Sequence, residues 1–367
     1  MNPFPRCSRA LIIALGVPGV IGYAHGAAAG ASPLQAATHQ AAAAYVDSLR
    51  QVQRMPGMAA TVVQHGVVLW SEGFGVADRR NGAHATPETL FRVGSVSKLL
   101  TAAALMRLVD ARAVDLDASI RAYVGFIPTH WPDVTLRQLA GHTAGVRHYR
   151  GSEFFSRTEY PTLQEAADIF IADSLLFPPG SRYAYSSYGY NLLGAVLESV
   201  TGEPFPRLLQ RLVLAPLGMT HTVPDSFGVM IPGRAALYSI GRDSVTDAST
   251  DNLSSRWPSG GYLSSTEDLA RFGAGVMEPG FLTAGSLDVM FGSQWLTSGD
   301  STSVGIGWRL GVDAEGRRYM HHGGSSNGGS AFLLIVPEAG LVVAMAANAL
   351  GSWSTAEALC LADLFRR

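Results

Sequence analysis

Lysine occurs once among the 27 lysine and arginine residues of this chain, at position 98, three residues after Ser95. Arginine keeps its proton in proteins, whereas a desolvated lysine can lose it and serve as a base. A sequence that uses arginine everywhere else has thus placed its one readily titratable cation beside a serine hydroxyl. On a helix, positions i and i+3 share a face, so Ser95 Oγ and Lys98 Nζ approach hydrogen-bonding distance and read as an activated nucleophile with its base. Gly94 allows a close backbone approach, and a serine at a helix N-terminus sits where free N–H groups favour developing negative charge. The segment Leu99–Met106 that follows is apolar nearly all round, which predicts a buried helix. By itself an S-x-x-K match is a weak signal, equally compatible with a lysine on a surface turn.

The elements that would position this pair lie at both ends of the chain. Ser32-Pro33 to about Arg54 is rich in alanine and free of glycine, with a cap and a first-turn proline, and predicts a helix. Met58–Val63 and Val67–Trp70 flank His65-Gly66, and Ala331–Val336 and Leu341–Ala347 flank Pro337–Gly340; both read as hairpins. Between them, helical periods recur over Leu99–Val109, Leu163–Ser174, Tyr190–Val200 and Thr266–Val276. The expected fold class is α+β: an antiparallel sheet built from residues of about 35–95 and 300–367, flanked by helices, with a mainly helical region of about 99–290 inserted. The cleft between the two parts is the expected site.

Further segments fall in a meaningful order. Phe91-Arg92-Val93-Gly94 leads into Ser95-Val96-Ser97-Lys98; Val134–Ala140 precedes Gly141-His142-Thr143-Ala144-Gly145; Tyr185-Ser186-Ser187 precedes Gly189–Gly194; Pro258–Ser265 precedes Asp268–Phe272; and His322-Gly323-Gly324 follows an expected strand. Taken together they resemble the serine β-lactamase and penicillin-binding-protein superfamily, in its class C-like branch. Gly145–Tyr149 and Tyr185–Ser187 are most similar to the mitochondrial β-lactamase-like branch and its bacterial counterparts. The resemblance implies acylation of Ser95, a base at Lys98, and base and leaving-group-acid roles shared by Tyr185. It implies substrate contacts at Ser187, His322 and Gly324, and an oxyanion hole made by the Ser95 amide and one near Ser330. Two departures bear on substrate. Ser187 stands where most members have asparagine, and His322-Gly323 replaces the lysine and threonine that hold a substrate carboxylate. Esters, amides or peptides without a fixed terminal carboxylate are the expected substrates, with β-lactamase or D-alanyl carboxypeptidase activity as the alternative and a non-catalytic sensor or scaffold as the alternative of another class.

Other chemistries fit less well. Gly324-Ser325-Ser326-Asn327-Gly328 matches a nucleophile elbow, but strands rather than a helix are expected after Ser326 and no histidine lies beyond His322. The histidines show no tight ligand spacing, so no metal and no cofactor is expected. A formal charge of −2 without a basic face argues against nucleic acid, leaving a small-molecule or peptide substrate as the expected partner; nothing in the sequence fixes the oligomeric state. Arg6 and Arg9, an apolar run from Ala10 to Tyr23 and the small residues after it predict a signal peptide over residues 1–29, with the remainder forming one domain in the periplasm or outside the cell and no stable membrane anchor. Its removal would leave Cys360 alone.

Overall fold

The computed structural model describes residues 32–351 and 353–366; the expected signal peptide lies outside the described residues. Seven strands form one antiparallel sheet: β1 (Gly57–Gln64), β2 (Val67–Asp78), β3 (Ala83–His84), β4 (Arg309–Val312), β5 (Arg318–Ser326), β6 (Gly329–Val336) and β7 (Leu341–Ala347), in the spatial order β3-β2-β1-β7-β6-β5-β4. The register pairs Met58 with Ala347 at the junction of the two chain ends, Ala331 with Ala346, and Gly323 with Phe332. His65 and Gly66 both take positive φ, 48° and 76°, which gives the β1–β2 turn the twist a tight hairpin needs.

Strands β6 and β7 are buried along their whole length because both faces of the sheet are covered. Helices α1 (Pro33–Val52) and α5 (Thr355–Phe365) cover one face, where Met58, Val62, Leu334 and Val343 meet Ala42, Val46, Leu361 and Phe365. The alternate residues Ala59, Leu333, Ile335 and Val342 join a second, larger core with α2 (Ser97–Asp110), α3 (Ser187–Thr201) and α4 (Thr266–Gly275). At roughly 1.5–3 kcal/mol for each large apolar side chain fully buried, this two-sided cover is the main stabilising term. The architecture is the expected α+β arrangement with an inserted helical region.

Two local features depart from the simple sheet-and-helix expectation. The helix expected over Leu163–Ser174 ends at Ala167. Beyond it, the Ile169 carbonyl accepts from Arg147 and the Asp173 carbonyl from the Trp131 indole, so these groups serve tertiary contacts rather than a helical ladder. A second small sheet, Phe91–Arg92, Tyr262–Ser264 and Thr222–Pro224, ties the strand before the nucleophile into the helical region.

Candidate active site

Ser95 lies in a single 3₁₀ turn, Gly94–Val96, that runs directly into α2. Gly94 has φ +49°, and a Cβ there would stand within 2.7 Å of the Ser325 backbone. A Cβ on Gly324 would lie 1.9 Å from the Val93 carbonyl oxygen and 3.0 Å from the Ser95 amide nitrogen. Only glycine at both positions lets β5 pass this close to the nucleophile turn.

Beneath the turn, the Arg92 guanidinium holds Asp225 at 2.6 Å, Asp251 at 2.5 Å and the Asn327 carbonyl at 2.9 Å, while Arg256 pairs with the same Asp251. This buried network fixes the nucleophile's strand to the loop after β5 and to the short helix Trp257–Gly260.

Lys98 is fully buried, and its Nζ lies 3.2 Å from Ser95 Oγ, 3.0 Å from Ser187 Oγ and 2.6 Å from the Ser259 carbonyl oxygen. Desolvation holds its pKa well below the ordinary lysine value, and the Arg256 and Arg309 charges push it the same way. Tyr185 lines the cleft beside Ser95, whose hydroxyl favours the phenolate, and its ring centre lies 4.9 Å from Lys98 Nζ. Burial raises the phenol above its usual range, against the pull of the Ser95 hydrogen bond. Desolvation thus favours the deprotonated, base-competent amine at Lys98, while Tyr185 stays a phenol that can donate a proton.

Ser187 opens α3 and holds Lys98 from the second side. His322 is buried, with its Nδ1 2.6 Å from the Gly323 carbonyl oxygen; because a carbonyl only accepts, that nitrogen carries the proton. Desolvation, followed by the Lys98 charge, holds His322 well below the ordinary imidazole value, so the third motif presents a neutral ring to a cleft of about 660 Å³.

Not every residue named from sequence reaches this cleft. Ser95, Tyr185, Ser187 and His322 line it, and Lys98 stands behind Ser95. Gly324 is behind the wall, serving close backbone approach. Ser330 is a correction: it is wholly buried on β6, with its hydroxyl given to the Ala349 carbonyl at 2.8 Å. Its cross-strand partner on β5, Ser325, lines the cleft beside Gly94, so the strand amide next to the Ser95 amide is that of Ser325. The register explains the error, since the two serines face each other across the β5–β6 turn.

Sequence reasoning missed Arg309, the first residue of β4. Its guanidinium lines the cleft, 5.6 Å from the Tyr185 ring centre, with no carboxylate at ion-pair distance among the described residues. No motif surrounds it; only its place in the sheet brings it here. Aromatic side chains of Tyr149, Phe154, Tyr319, Phe332 and Trp353 wall the rest.

Residues 42–362 match the family described as Beta-lactamase. This chain belongs to that family. As a beta-lactamase-family member it is 26% identical over 382 aligned residues to the human "Serine beta-lactamase-like protein LACTB, mitochondrial", covering 77% of this chain and 69% of that protein. Its fold is that of the octameric penicillin-binding protein homologue from Pyrococcus abyssi, with TM-score 0.76, 23% identity, and 89% and 76% of the two chains covered. It also matches a D-stereospecific amidohydrolase from Streptomyces sp., with TM-score 0.72, 25% identity, and 89% and 97% covered. This beta-lactamase-family chain is a serine hydrolase.

Proposed function

We propose that the protein is an exported enzyme that cleaves ester, amide or peptide bonds through an acyl-enzyme on Ser95. The observation that carries this reading is the buried Lys98 amine 3.2 Å from Ser95 Oγ, with Tyr185 beside both in the cleft. Ser95 Oγ attacks the substrate carbonyl carbon as its proton passes to neutral Lys98. The oxyanion forms against the amides of Ser95 and Ser325. Collapse breaks the bond to the leaving group, which takes a proton from Tyr185; the phenolate recovers one from the Lys98 ammonium. Water then repeats the sequence on the acyl-enzyme, and Ser95 leaves as the hydroxyl.

Substrate class follows from the cleft wall. His322 is neutral and Gly323 has no hydroxyl, so the third motif offers no clamp for a terminal carboxylate. A β-lactamase or D-alanyl carboxypeptidase reading has one observation in its favour: the Arg309 guanidinium, with no carboxylate at ion-pair distance among the described residues, lines the cleft where a substrate anion would meet it. Comparing a neutral activated ester with its carboxylate-bearing analogue separates the two. If Arg309→Gln raises KM for the anionic substrate alone, Arg309 is an anion site; equal effects place its role on Tyr185 and Lys98.

The main test is intact-mass spectrometry of wild type and Ser95→Ala after a fluorophosphonate, a penicillin and an activated ester. A covalent adduct on wild type alone is the expected result, and a folded wild type that labels with nothing would overturn the reading. Export is tested by N-terminal sequencing of the protein recovered outside the cytoplasm: a start near residues 26–31 is expected, and an intact Met1 refutes it.

A further inference from the structure

We propose that His142 and His148 are positioning residues, a pair of imidazoles that hold Tyr185 and Ser187 in place for acyl transfer by receiving two successive backbone amides. The Ser186 N–H donates to His142 Nδ1 at 3.2 Å, and the Ser187 N–H donates to His148 Nδ1, also at 3.2 Å. These amides begin the first turn of α3, where N–H groups have no partner within the helix. The Ser186 hydroxyl completes the arrangement, accepting from the Gly189 amide at 2.9 Å and donating to the Arg147 carbonyl at 2.7 Å.

The two rings also flank the phenol. His142 lies 4.5 Å from the Tyr185 ring centre at a tilt, and His148 lies 5.5 Å away, edge-on. An amide N–H requires an acceptor, so each imidazole must be neutral, with its proton on Nε2. The backbone pays for this placement at His142, which takes φ +60° directly after Gly141.

Desolvation, and after it the neighbouring cations, favours the neutral form of both rings. Facing His142 are Tyr183, Tyr185 and Tyr190, with the Arg309 cation nearby and Lys98, His322 and His148 as titratable neighbours whose protonation would oppose its own. Facing His148 are Tyr149 and Tyr185, with Lys98 beyond; Arg147 donates to its carbonyl. None of these is a carboxylate that would favour the imidazolium. Protonation at Nδ1 would set donor against donor and displace the segment that carries both Tyr185 and the Lys98 contact of Ser187.

The inference rests on the reading that Ser95 and Tyr185 carry acyl transfer, so its test has a readout independent of turnover. Nitrogen-15 NMR of wild type at neutral pH should show both rings protonated at Nε2 and bare at Nδ1; a protonated Nδ1 overturns the clamp. Kinetics against pH on an activated ester then use His148→Ala and His148→Asn, since asparagine can place an oxygen near the Nδ1 position without titrating. His148→Ala should lower kcat/KM by about 10- to 100-fold, mostly in kcat, for a partly buried donor left without its acceptor. His148→Asn should recover activity to within a few-fold and move the acid limb of the profile to lower pH. His142→Asn, which suits positive φ, should behave alike. Equal losses in His148→Ala and His148→Asn, or an unmoved acid limb, would overturn the proposal. A wild type that fails to label with a fluorophosphonate would instead sink the acyl-transfer reading, leaving the NMR result to decide the clamp.

Discussion

Adding one methyl group at Gly324 should disable the site without touching any reacting side chain. The Cβ would lie 1.9 Å from the Val93 carbonyl oxygen, whereas a carbon and a carbonyl oxygen rest at about 3.3 Å or more. Strand β5 and the nucleophile turn must therefore part by about 1.4 Å, and both contacting groups are backbone, so no rotamer change relieves the clash. The amides of Ser95 and Ser325 then no longer converge on one oxygen. Misplacement by about 1 Å costs on the order of 10²-fold, and loss of one oxyanion donor about 10²–10³-fold, so kcat for Gly324→Ala should fall by about 10²–10³. Overpacking should cost about 1–3 kcal/mol of stability, which leaves the protein folded. The assay is the rate of fluorophosphonate labelling by intact mass, alongside ester hydrolysis and a thermal melt. Gly260→Ala is the control, because its Cβ would make an ordinary 3.6 Å contact with Gly94. A folded Gly324→Ala that labels and turns over within a few-fold of wild type would refute the geometry.

Lys98→Arg keeps the charge but cannot release a proton, so acylation should drop by about 10²–10⁴-fold; labelling at the wild-type rate would show that Lys98 is not the base. Asp251→Asn removes the shared partner of Arg92 and Arg256 in a buried network, and should cost about 3–5 kcal/mol, read as a lowered melting temperature; an unchanged melt would show that Asp225 alone suffices. Burial holds His142, His148, His321 and His322 below their ordinary values, the Lys98 charge adding at His142, His148 and His322 and the Arg309 charge at His321. The unfolded chain therefore binds more protons than the folded one, and the stability these rings contribute is present above about pH 6.5. It is lost as pH falls toward about 4, the value to which His148 and His321 are held. The melting temperature should fall steadily from pH 7 to 4, and a flat profile would contradict the neutral rings.

The fold was readable because its signals are local. The hairpin turn at His65-Gly66, the apolar runs of β6 and β7 and the helical periods each declare themselves within a dozen residues, and the uniqueness of Lys98 points at the chemistry before any element is drawn. What escaped depends on alignment between distant segments. Arg309 is brought in by the sheet and the partnership of His142 and His148 with the start of α3 by how loops meet, and no spacing along the chain encodes either. The choice between Ser325 and Ser330 turned on a register that places the two opposite each other. The helix lost after Ala167 shows tertiary acceptor demand from Arg147 and Trp131 overriding local periodicity.

The pairing of β1 with β7 sets an order of events for a chain made from its N-terminus. Ser95, Lys98 and Tyr185 exist early, but the ladder that joins Met58 to Ala347, the β5 strand beside the nucleophile and the Trp353–Thr355 wall of the cleft all come last. Until then β1 offers an unpaired edge, and the serine has no second amide to hold an oxyanion. Hydrolytic competence thus doubles as a completeness check: a chain interrupted before its final three strands carries every reacting side chain but not the second oxyanion amide.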